Sequence, residues 1–529
     1  MKRTAGIIFR TLILLLIGVG IGLFISGDNF TGRKLGLNFT TPDKISKVLY
    51  LVNNKYVDSV NTDSVAGVTV NEMLQNLDPH SVYLPAQQAQ SINERLEGGF
   101  TGIGLEYQLL RDTLVITQVN AGGPAAKAGI NVGNKVINVD GKPFSGTNLT
   151  IKRVSKTFRG DKDTRITLGI ATDKSNTVKD FVIKRGHVDL SSLDAAYVVG
   201  NTGYIKISKF ASTTDEDFRD ALAKLKIDGM KKLVLDLRGN GGGYLNTATA
   251  MADEFLPGGK LIVYTMGIHE PRTDYFATDS GSYEKGPLTV MIDEYSASAS
   301  EILAGALQDL DRATIVGRRS FGKGLVQQQF PFGDGTAVNL TVARYYTPSG
   351  RSIQKSYKNG VQNYRNELAD RVRKGELLTA GSNLNDSAFL GSSAYHTTKG
   401  RKVFSKGGIM PDVFVPADTT LNSQLLDDLT DNQLFTAYVI DKLQPVLAKY
   451  PMQADFIQQY SVTDDTLQSF IAYSSQTLGN IDKQEVVLAR QNIKTLLKAN
   501  AARFKWGNNA YYRVVNNDDA TFKTAIAQN

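Results

Sequence analysis

Three short stretches of this chain carry side chains suited to covalent chemistry. Tyr295-Ser-Ala-Ser-Ala-Ser-Glu-Ile302 follows the apolar run LTVMID and opens an apolar helical pattern. A serine at a tight strand-to-helix turn can aim its hydroxyl into a cleft beside free backbone N–H groups. The helix dipole there favours a developing oxyanion. Ser298 and Ser300 suit a plain N-cap and first turn equally well. Ser320-Phe-Gly-Lys-Gly-Leu-Val-Gln327 sets Lys323 between glycines that let the backbone approach closely, with a strand pattern on either side. A lysine serves as general base once burial pulls its pKa down, and Gln327 stands where it could hold the amine. Leu235-Asp-Leu-Arg-Gly-Asn-Gly-Gly-Gly-Tyr244 reads as a strand, a glycine loop and a helix start. Such a loop can turn backbone N–H groups towards an oxyanion.

Other chemistries fare worse. The chain has four histidines, His80, His187, His269 and His396, none in H-E-x-x-H or any paired-ligand spacing, so each reads as a surface or capping residue. Metal hydrolysis and a Ser–His–Asp triad therefore lack support, and no cofactor is expected. Cysteine is absent, which excludes a thiolate nucleophile and disulfides. Gly317-Arg-Arg-Ser-Phe-Gly322-Lys323 matches G-x-x-x-x-G-K, but Gly324 stands where a P-loop needs Ser or Thr, and LVQQQF reads as a strand where it needs a helix. Gly239-x-Gly241 lacks the third glycine of a dinucleotide loop, because Tyr244 fills that place.

The elements around these stretches alternate. GYIKI, KLVLDL, LIVYTM, LTVMID and ATIVG are strand-like, with helical patterns between them, which argues for an α/β layer domain. KLVLDL is apolar enough to be buried on both faces. Upstream, LVITQV, KVINV, RITLGIA and FVIKR are short strands around one small helix and outline a compact β module. Amphipathic helices are expected from Thr41 to Pro85 and again beyond Asp418. The polar stretch from Lys355 to Lys406 reads as an insertion with helical character in QNYRNELADRVRKGE. The fold class is thus α/β and β multidomain. Its expected parts are N-terminal helices over 40–90, the β module over 91–186, an α/β core over 187–418 with the insertion at about 356–405, and a helical C-terminal module over 419–529.

Composition fits exported globular domains. With 529 residues, 41% hydrophobic and 21% charged, the chain holds about three domains. Its net charge of +8 is dispersed, with no basic run of the kind that binds nucleic acid. Lys2, Arg3 and Arg10 precede the uncharged run Thr11–Ile25, the pattern of a membrane anchor or a cleaved export signal over residues 1–27.

Five motifs in order, LDLRGNGGGYL, YSASASEILAGALQD, SFGKGLVQ, RYYTPSGRSIQK and GGIMPDVFVP, give the chain a resemblance to the carboxyl-terminal processing, or tail-specific, proteases. The resemblance covers roughly residues 40 to 416. It implies a serine endopeptidase with Ser298 as nucleophile, Lys323 as base and Gln327 as its orienting partner. It puts the oxyanion hole on the backbone N–H groups of Gly242, Gly243 and Ala299, with Glu301 and Ser320 in support; the family often has Thr at the latter position. The β module is similar to the family's PDZ domain, with Phe100, Gly102, Ile103, Gly104 and Leu105 in the carboxylate-binding loop. Arg159-Gly-Asp-Lys-Asp-Thr164 departs from the family in lacking a second glycine, which touches a turn and not the chemistry. The implied partners are polypeptides with accessible C-termini and the membrane through the N-terminal anchor, with room for a homo-oligomer or an activating adaptor. The implied place is the cell envelope, on the periplasmic side of the inner membrane or free in the periplasm. A PDZ scaffold that has lost catalysis is the alternative, against which the intact Ser298, Lys323 and Gln327 set stands.

Overall fold

The structure is a computed structural model that describes residues 41–146, 149–172, 175–379, 394–421 and 423–528. The expected anchor lies outside these residues, and no described helix is long and apolar enough to cross a membrane. The chain divides into two compact units, one ending at Met73 and one running over Leu74–Asn529. The first contributes α1 (Thr41–Lys55) and most of α2 (Thr62–Gln75). The helical expectation ends early, because Val82–Leu84 forms a strand, β1, before α3 (Ala86–Glu97).

The next strands build the β module. After β2 (Gly99–Gly102), the strands β3 (Leu105–Leu110), β4 (Thr113–Val119), β5 (Lys135–Val139), β6 (Lys142–Pro143), β7 (Arg165–Thr172) and β8 (Ser175–Lys184) follow, with α4 (Pro124–Lys127) and α5 (Ile151–Phe158) between them. Their sheet runs β3-β4-β5-β7-β8, with β6 against β5, so β3 lies at one edge. Alternate strand residues Leu114, Ile116, Val136, Ile166 and Leu168 meet Val154 and Phe158 of α5 in one core. The chain enters and leaves the module through a ribbon that pairs β2 with β9 (Gly186–Asp189).

The core that follows is two-layered around a central sheet. Its strands are β10 (Leu193–Val199), β11 (Thr202–Ile207), β12 (Lys232–Asp236), β15 (Leu288–Ile292), β16 (Thr314–Gly317) and β21 (Val413–Phe414), in that spatial order. All neighbours are parallel except β10 and β11. Between strands, α6 (Thr214–Ile227), α7 (Leu245–Asp253) and α8 (Ala299–Asp309) cover one face. Leu233 and Leu235 of β12 point into that layer, and Val234 points the opposite way; all three are fully buried. This is what a strand covered on both faces requires. A second, antiparallel sheet joins β1 to β18 (Ala337–Tyr346), β13 (Leu261–Met266) and β14 (Thr273–Phe276), with β17 (Leu325–Pro331) paired to β18. The expected insertion contains α9 (Val361–Arg373), and a small hairpin of β19 (Ala394–His396) and β20 (Lys402–Phe404) follows it.

The second face of the central sheet is covered by the C-terminal helices. These run α10 (Gln424–Asp431), α11 (Leu434–Tyr438), a π-helical turn at Val439–Leu443, α12 (Gln444–Ala448), α13 (Gln453–Gln459), α14 (Asp464–Leu478), α15 (Lys483–Trp506), α16 (Asn508–Asp518) and α17 (Ala520–Ala527). Ala489, Ile493, Leu497 and Ala501 repeat every fourth residue along α15 and bury that stripe among the other helices. Phe522 and Ala525 of α17 pack on Tyr204, Val234, Met291 and Val316 of the sheet.

One buried ionic cluster links this helical layer to the core. The Arg238 guanidinium holds Asp236 through Nε (3.0 Å) and Nη2 (2.8 Å), and Nη1 reaches Asp519 at 2.7 Å. Tyr204 donates to Asp236 at 2.8 Å, and the Lys206 ammonium lies 3.5 Å from it. Burial pushes the Asp236 carboxyl upwards, but the Arg238 and Lys206 charges outweigh it and hold the group well below the carboxylate range. Removing Asp236 leaves Lys206 without its anion and Arg238 with Asp519 alone, and such breaks of buried pairs cost about 3–5 kcal/mol. Asp519 sits nearer solvent, where a pair contributes about 1 kcal/mol. Urea unfolding is expected to show Asp236→Ala far more destabilising than Asp519→Ala; equal losses would contradict this division of roles.

Candidate active site

Ser298 stands between β15 and α8, where the strand ends and the chain turns sharply. Its φ is +55°, a conformation that side chains other than glycine seldom adopt. Such strain persists only where the surroundings over-determine it, and here they do. Asp293, at the end of β15, accepts from Ser296 N at 3.1 Å and from Gly239 N at 2.9 Å. Ser296 Oγ donates to Leu237 O at 2.9 Å, Ala297 N to Asn240 O at 3.0 Å, and Ser300 Oγ to Asn240 O at 2.9 Å. The serine turn and the glycine loop after β12 are therefore one hydrogen-bonded unit.

Glu301, fully buried in the first turn of α8, ties that unit to the lysine loop. Its Oε2 accepts from Ser298 N and from Lys323 N, both at 2.8 Å. Its Oε1 accepts from Gly322 N at 2.7 Å and from Ser320 Oγ at 2.5 Å. Ser320 Oγ in turn accepts from Ile409 N at 2.6 Å. Burial pushes the Glu301 carboxyl up to about 7, against these donors. Four donors on two oxygens are the surroundings of a carboxylate.

Lys323 is partly buried and lines the same cleft as Ser298. Burial lowers its pKa from the ordinary lysine value, and the Glu301 and Asp78 charges only partly offset this. The Tyr345 hydroxyl lies 2.6 Å from Lys323 O and 3.2 Å from Ser298 O. Gln327 Nε2 donates to Thr341 Oγ1 at 3.2 Å, and Thr341 Oγ1 donates to Asp78 Oδ1 at 3.1 Å. The same Asp78 accepts from His80 N at 2.7 Å and from Ser81 Oγ at 2.6 Å. β1 pairs with β18 in register Val82↔Asn339, which brings this segment beside the lysine loop.

His80 corrects the reading of the histidines. It is half-buried, its Nε2 lies 2.8 Å from the Tyr364 hydroxyl, and burial followed by the Lys323 charge lowers its pKa to about 4. The expected insertion also proves to be structural support. Arg371 of α9 donates to Arg319 O at 2.7 Å and to Ser320 O at 3.2 Å, and Glu376 pairs with both arginines. The lysine loop is thus braced from behind by the helical stretch that the sequence marked only as part of an insertion.

Of the three expected oxyanion donors, Gly242 does not fit. Its N–H donates to Asn240 Oδ1 at 2.8 Å, closing an Asx turn within the loop. Its place is steric instead: a Cβ there would come within 2.8 Å of Ser298 Cβ and 3.0 Å of Ala299 N. The N–H groups of Gly243 and Ala299 have no acceptor among the described residues. Gly243 also takes a positive φ, and its carbon faces the Phe210 carbonyl so closely that no side chain fits. Ser298, Gly243, Lys323, Gln327 and Tyr345 all line one cleft of about 540 Å³. Lys323 after Gly322 leads into β17 and not into a helix, so the P-loop alternative lacks its phosphate-binding element.

The loop before β3 is likewise built for its backbone. The Ile103 side chain is buried in the module core, and Gly102 and Gly104 are buried beside it. Ile103 O accepts from Ala125 N at 2.9 Å and Gly104 O from Asn120 N at 3.0 Å. A planar peptide sends its N–H away from its C=O, so the Gly104 and Leu105 N–H groups face outwards. Phe100 lies in β2 under the Arg159 guanidinium, 4.3 Å from ring centre to Cζ, and Arg159 is paired with Glu94 of α3.

Asp78, Thr341, Tyr345, Asn240 and Arg371 were not singled out from sequence as site residues. The signal available for Asp78 was D-P-H-S directly before a strand, a run in which the carboxylate can bond the next N–H groups locally.

Parts of the chain match known protein families. The family model described as peptidase family S41 matches residues 201–363, and that of the PDZ domain matches 115–172. Residues 425–507 match a family of unknown function, DUF8443. The chain is 36% identical over 330 residues to the "Probable CtpA-like serine protease" of Staphylococcus aureus (strain N315), covering 61% of this chain and 66% of that protein. It is 36% identical over 318 residues to the "Carboxy-terminal processing protease CtpB" of Bacillus subtilis (strain 168), covering 59% and 65%. The chain thus spans just under two thirds of these relatives' lengths. Among solved structures, the "Photosystem II D1 C-terminal processing protease" is similar at 25% identity and a TM-score of 0.35, covering 72% of this chain and 94% of that one. With S41 and PDZ matches on one chain and relatives of that identity, the chain is similar over these residues to carboxyl-terminal processing proteases of peptidase family S41.

Proposed function

We propose that the chain is an exported serine endopeptidase that takes polypeptides by their C-termini and cleaves them with a Ser298–Lys323 dyad. The single observation that carries this reading is Glu301, whose one carboxylate accepts from the backbone of both Ser298 and Lys323. Neutral Lys323 takes the Ser298 proton as the hydroxyl oxygen attacks the substrate carbonyl. The oxyanion is received by the N–H groups of Gly243 and Ala299. Lys323 then passes its proton to the leaving amine, which departs and leaves an acyl-enzyme on Ser298. A water, deprotonated by Lys323, attacks the ester and restores the serine. Gln327, fixed through Thr341 to Asp78, orients the amine. The outward N–H groups of Gly104 and Leu105 receive the substrate carboxylate, as backbone loops capture chain ends elsewhere.

The reading is tested with an unfolded reporter bearing a free apolar C-terminus. Ser298→Ala and Lys323→Ala are each expected to lower its cleavage by about 10⁴–10⁶-fold; retention of cleavage by either would overturn the dyad.

The pH profile follows from the site. Neutral Lys323 grows as pH rises, so the rate should climb along a limb whose midpoint lies below the ordinary 10.5. Protonation of Glu301, at about 7, deepens the loss on the acid side. His80, at about 4, stays neutral over this range and adds no limb. A rate that falls between neutral and mildly alkaline pH, in buffers where the fold is intact, would contradict a neutral lysine base.

Glu301→Gln sets an amide N–H₂ against donors that need an acceptor. Leaving such groups unsatisfied costs about 1–3 kcal/mol each, so the variant is expected to unfold at clearly lower urea and to cleave poorly. A variant with wild-type stability and activity would show that the carboxylate is not the tie.

A further inference from the structure

The strand edge that follows the carboxylate loop does not face open solvent. β3 is unpaired on its outer edge among the described residues. The bond from Asn120 N to Gly104 O makes Leu105 and Val119 a non-hydrogen-bonded pair, so the Leu105 N–H and C=O point outwards. Ile116 spends its own N–H and C=O on Asn134 and Gly133, so its partner Tyr107 also turns both groups to the outer edge. Opposite this edge stand α11 and α15 of the C-terminal helices. Arg503 of α15 reaches Glu106 of β3 at 3.2 Å and Gln118 of β4 at 3.3 Å, and Asp441 of the π-helical turn after α11 pairs with Arg111, just beyond β3, at 2.7 Å. Between these contacts Gln108 Nε2 donates to Gln433 O at 2.9 Å. The space left is a cavity of about 640 Å³, lined on the far side by Phe435, Thr436, Leu496, Asn500 and Phe504.

Two features show that the cavity is a place to be filled and not a closed contact. The helices leave the Leu105 and Tyr107 edge groups unused. The Oε1 of Gln108, a side chain 5% exposed, is buried without a partner. An unmet buried acceptor beside a free strand edge calls for a donor, and a volume of this size is that of a ligand site, about 300–1,000 Å³.

We infer that the C-terminal helical module forms the second wall of the peptide groove. A substrate tail adds to β3 as an extended strand, and its residues are enclosed between α5 and β3 on one side and α11 and α15 on the other. Peptide N–H groups supply the donor that Gln108 Oε1 lacks, and Phe435, Leu496 and Phe504 of the far wall select tails with apolar residues next to the terminus. The proposal rests on the reading that the PDZ loop receives the substrate carboxylate.

The test uses the full chain carrying Ser298→Ala, and a short fluorescent peptide ending in valine with a free carboxylate. Thr436→Trp fills the cavity from the module side and is expected to weaken binding about tenfold or more; Thr436→Ser is expected to bind as before. Ile151→Glu, on α5, reports on the PDZ side. If Ile151→Glu weakens binding and Thr436→Trp leaves it unchanged or tighter, the second wall is refuted and the PDZ reading stands. If neither variant weakens binding, the PDZ reading itself fails. Folding of the variants is bypassed by a photo-crosslinker at the peptide's penultimate residue. Adducts within 430–436 or 496–511 are expected, and adducts confined to 100–158 would overturn the proposal.

Discussion

The rest of the site depends on one buried carboxylate. Glu301 has no solvent to serve as a partner, so its charge is tolerable only if donors surround it. The chain supplies them from two places that are distant in sequence: the strained serine turn and the glycine-flanked lysine loop. The same need that satisfies the carboxylate therefore fixes where Ser298 sits relative to Lys323. Ser298 keeps its positive φ because letting go would strip Glu301 of a donor, and Lys323 stays in place because its own N–H is held.

Successive layers keep this arrangement rigid. Asn240 joins the glycine loop to the serine turn, Tyr345 bridges the carbonyls of Ser298 and Lys323, and Arg371 braces the lysine loop from behind. Arg238, at the mouth of the glycine loop, is shared between Asp236 of the sheet and Asp519 of the last helices. The helical C-terminal module is in this way continuous with the core, and it also contacts β3. Rigid positioning of this kind is what a reaction with little cofactor chemistry requires.

Much of this was legible in the sequence where the cause is local. KLVLDL reads as a strand buried on both faces because Leu233, Val234 and Leu235 run without a polar break, and a serine between a strand and a helix reads as a turn that can aim its hydroxyl into a cleft. Lys323 between glycines reads as a lysine close to backbone. The parts that did not show are those set by pairing across long stretches. Asp78 and His80 reach the site only because β1 joins β18, a register that no local pattern encodes. Gly242 was expected to donate to an oxyanion, but the neighbouring Asn240 takes its N–H, a competition decided by loop geometry. The helix in the polar run after Lys355 was legible, but its part in the site was not, because it packs through arginines buried against glutamates and not through an apolar stripe.

The central claim is that Ser298 is a nucleophile made reactive by Lys323 and held in register by Glu301. Intact-mass measurement after treatment with a serine-reactive fluorophosphonate tests it most directly. The account predicts a single adduct that peptide mapping assigns to Ser298 in the wild-type chain, and adduct formation that is much slower in Lys323→Ala. Labelling of Lys323→Ala as fast as wild type, or an adduct on Ser296 or Ser300 in place of Ser298, would contradict it.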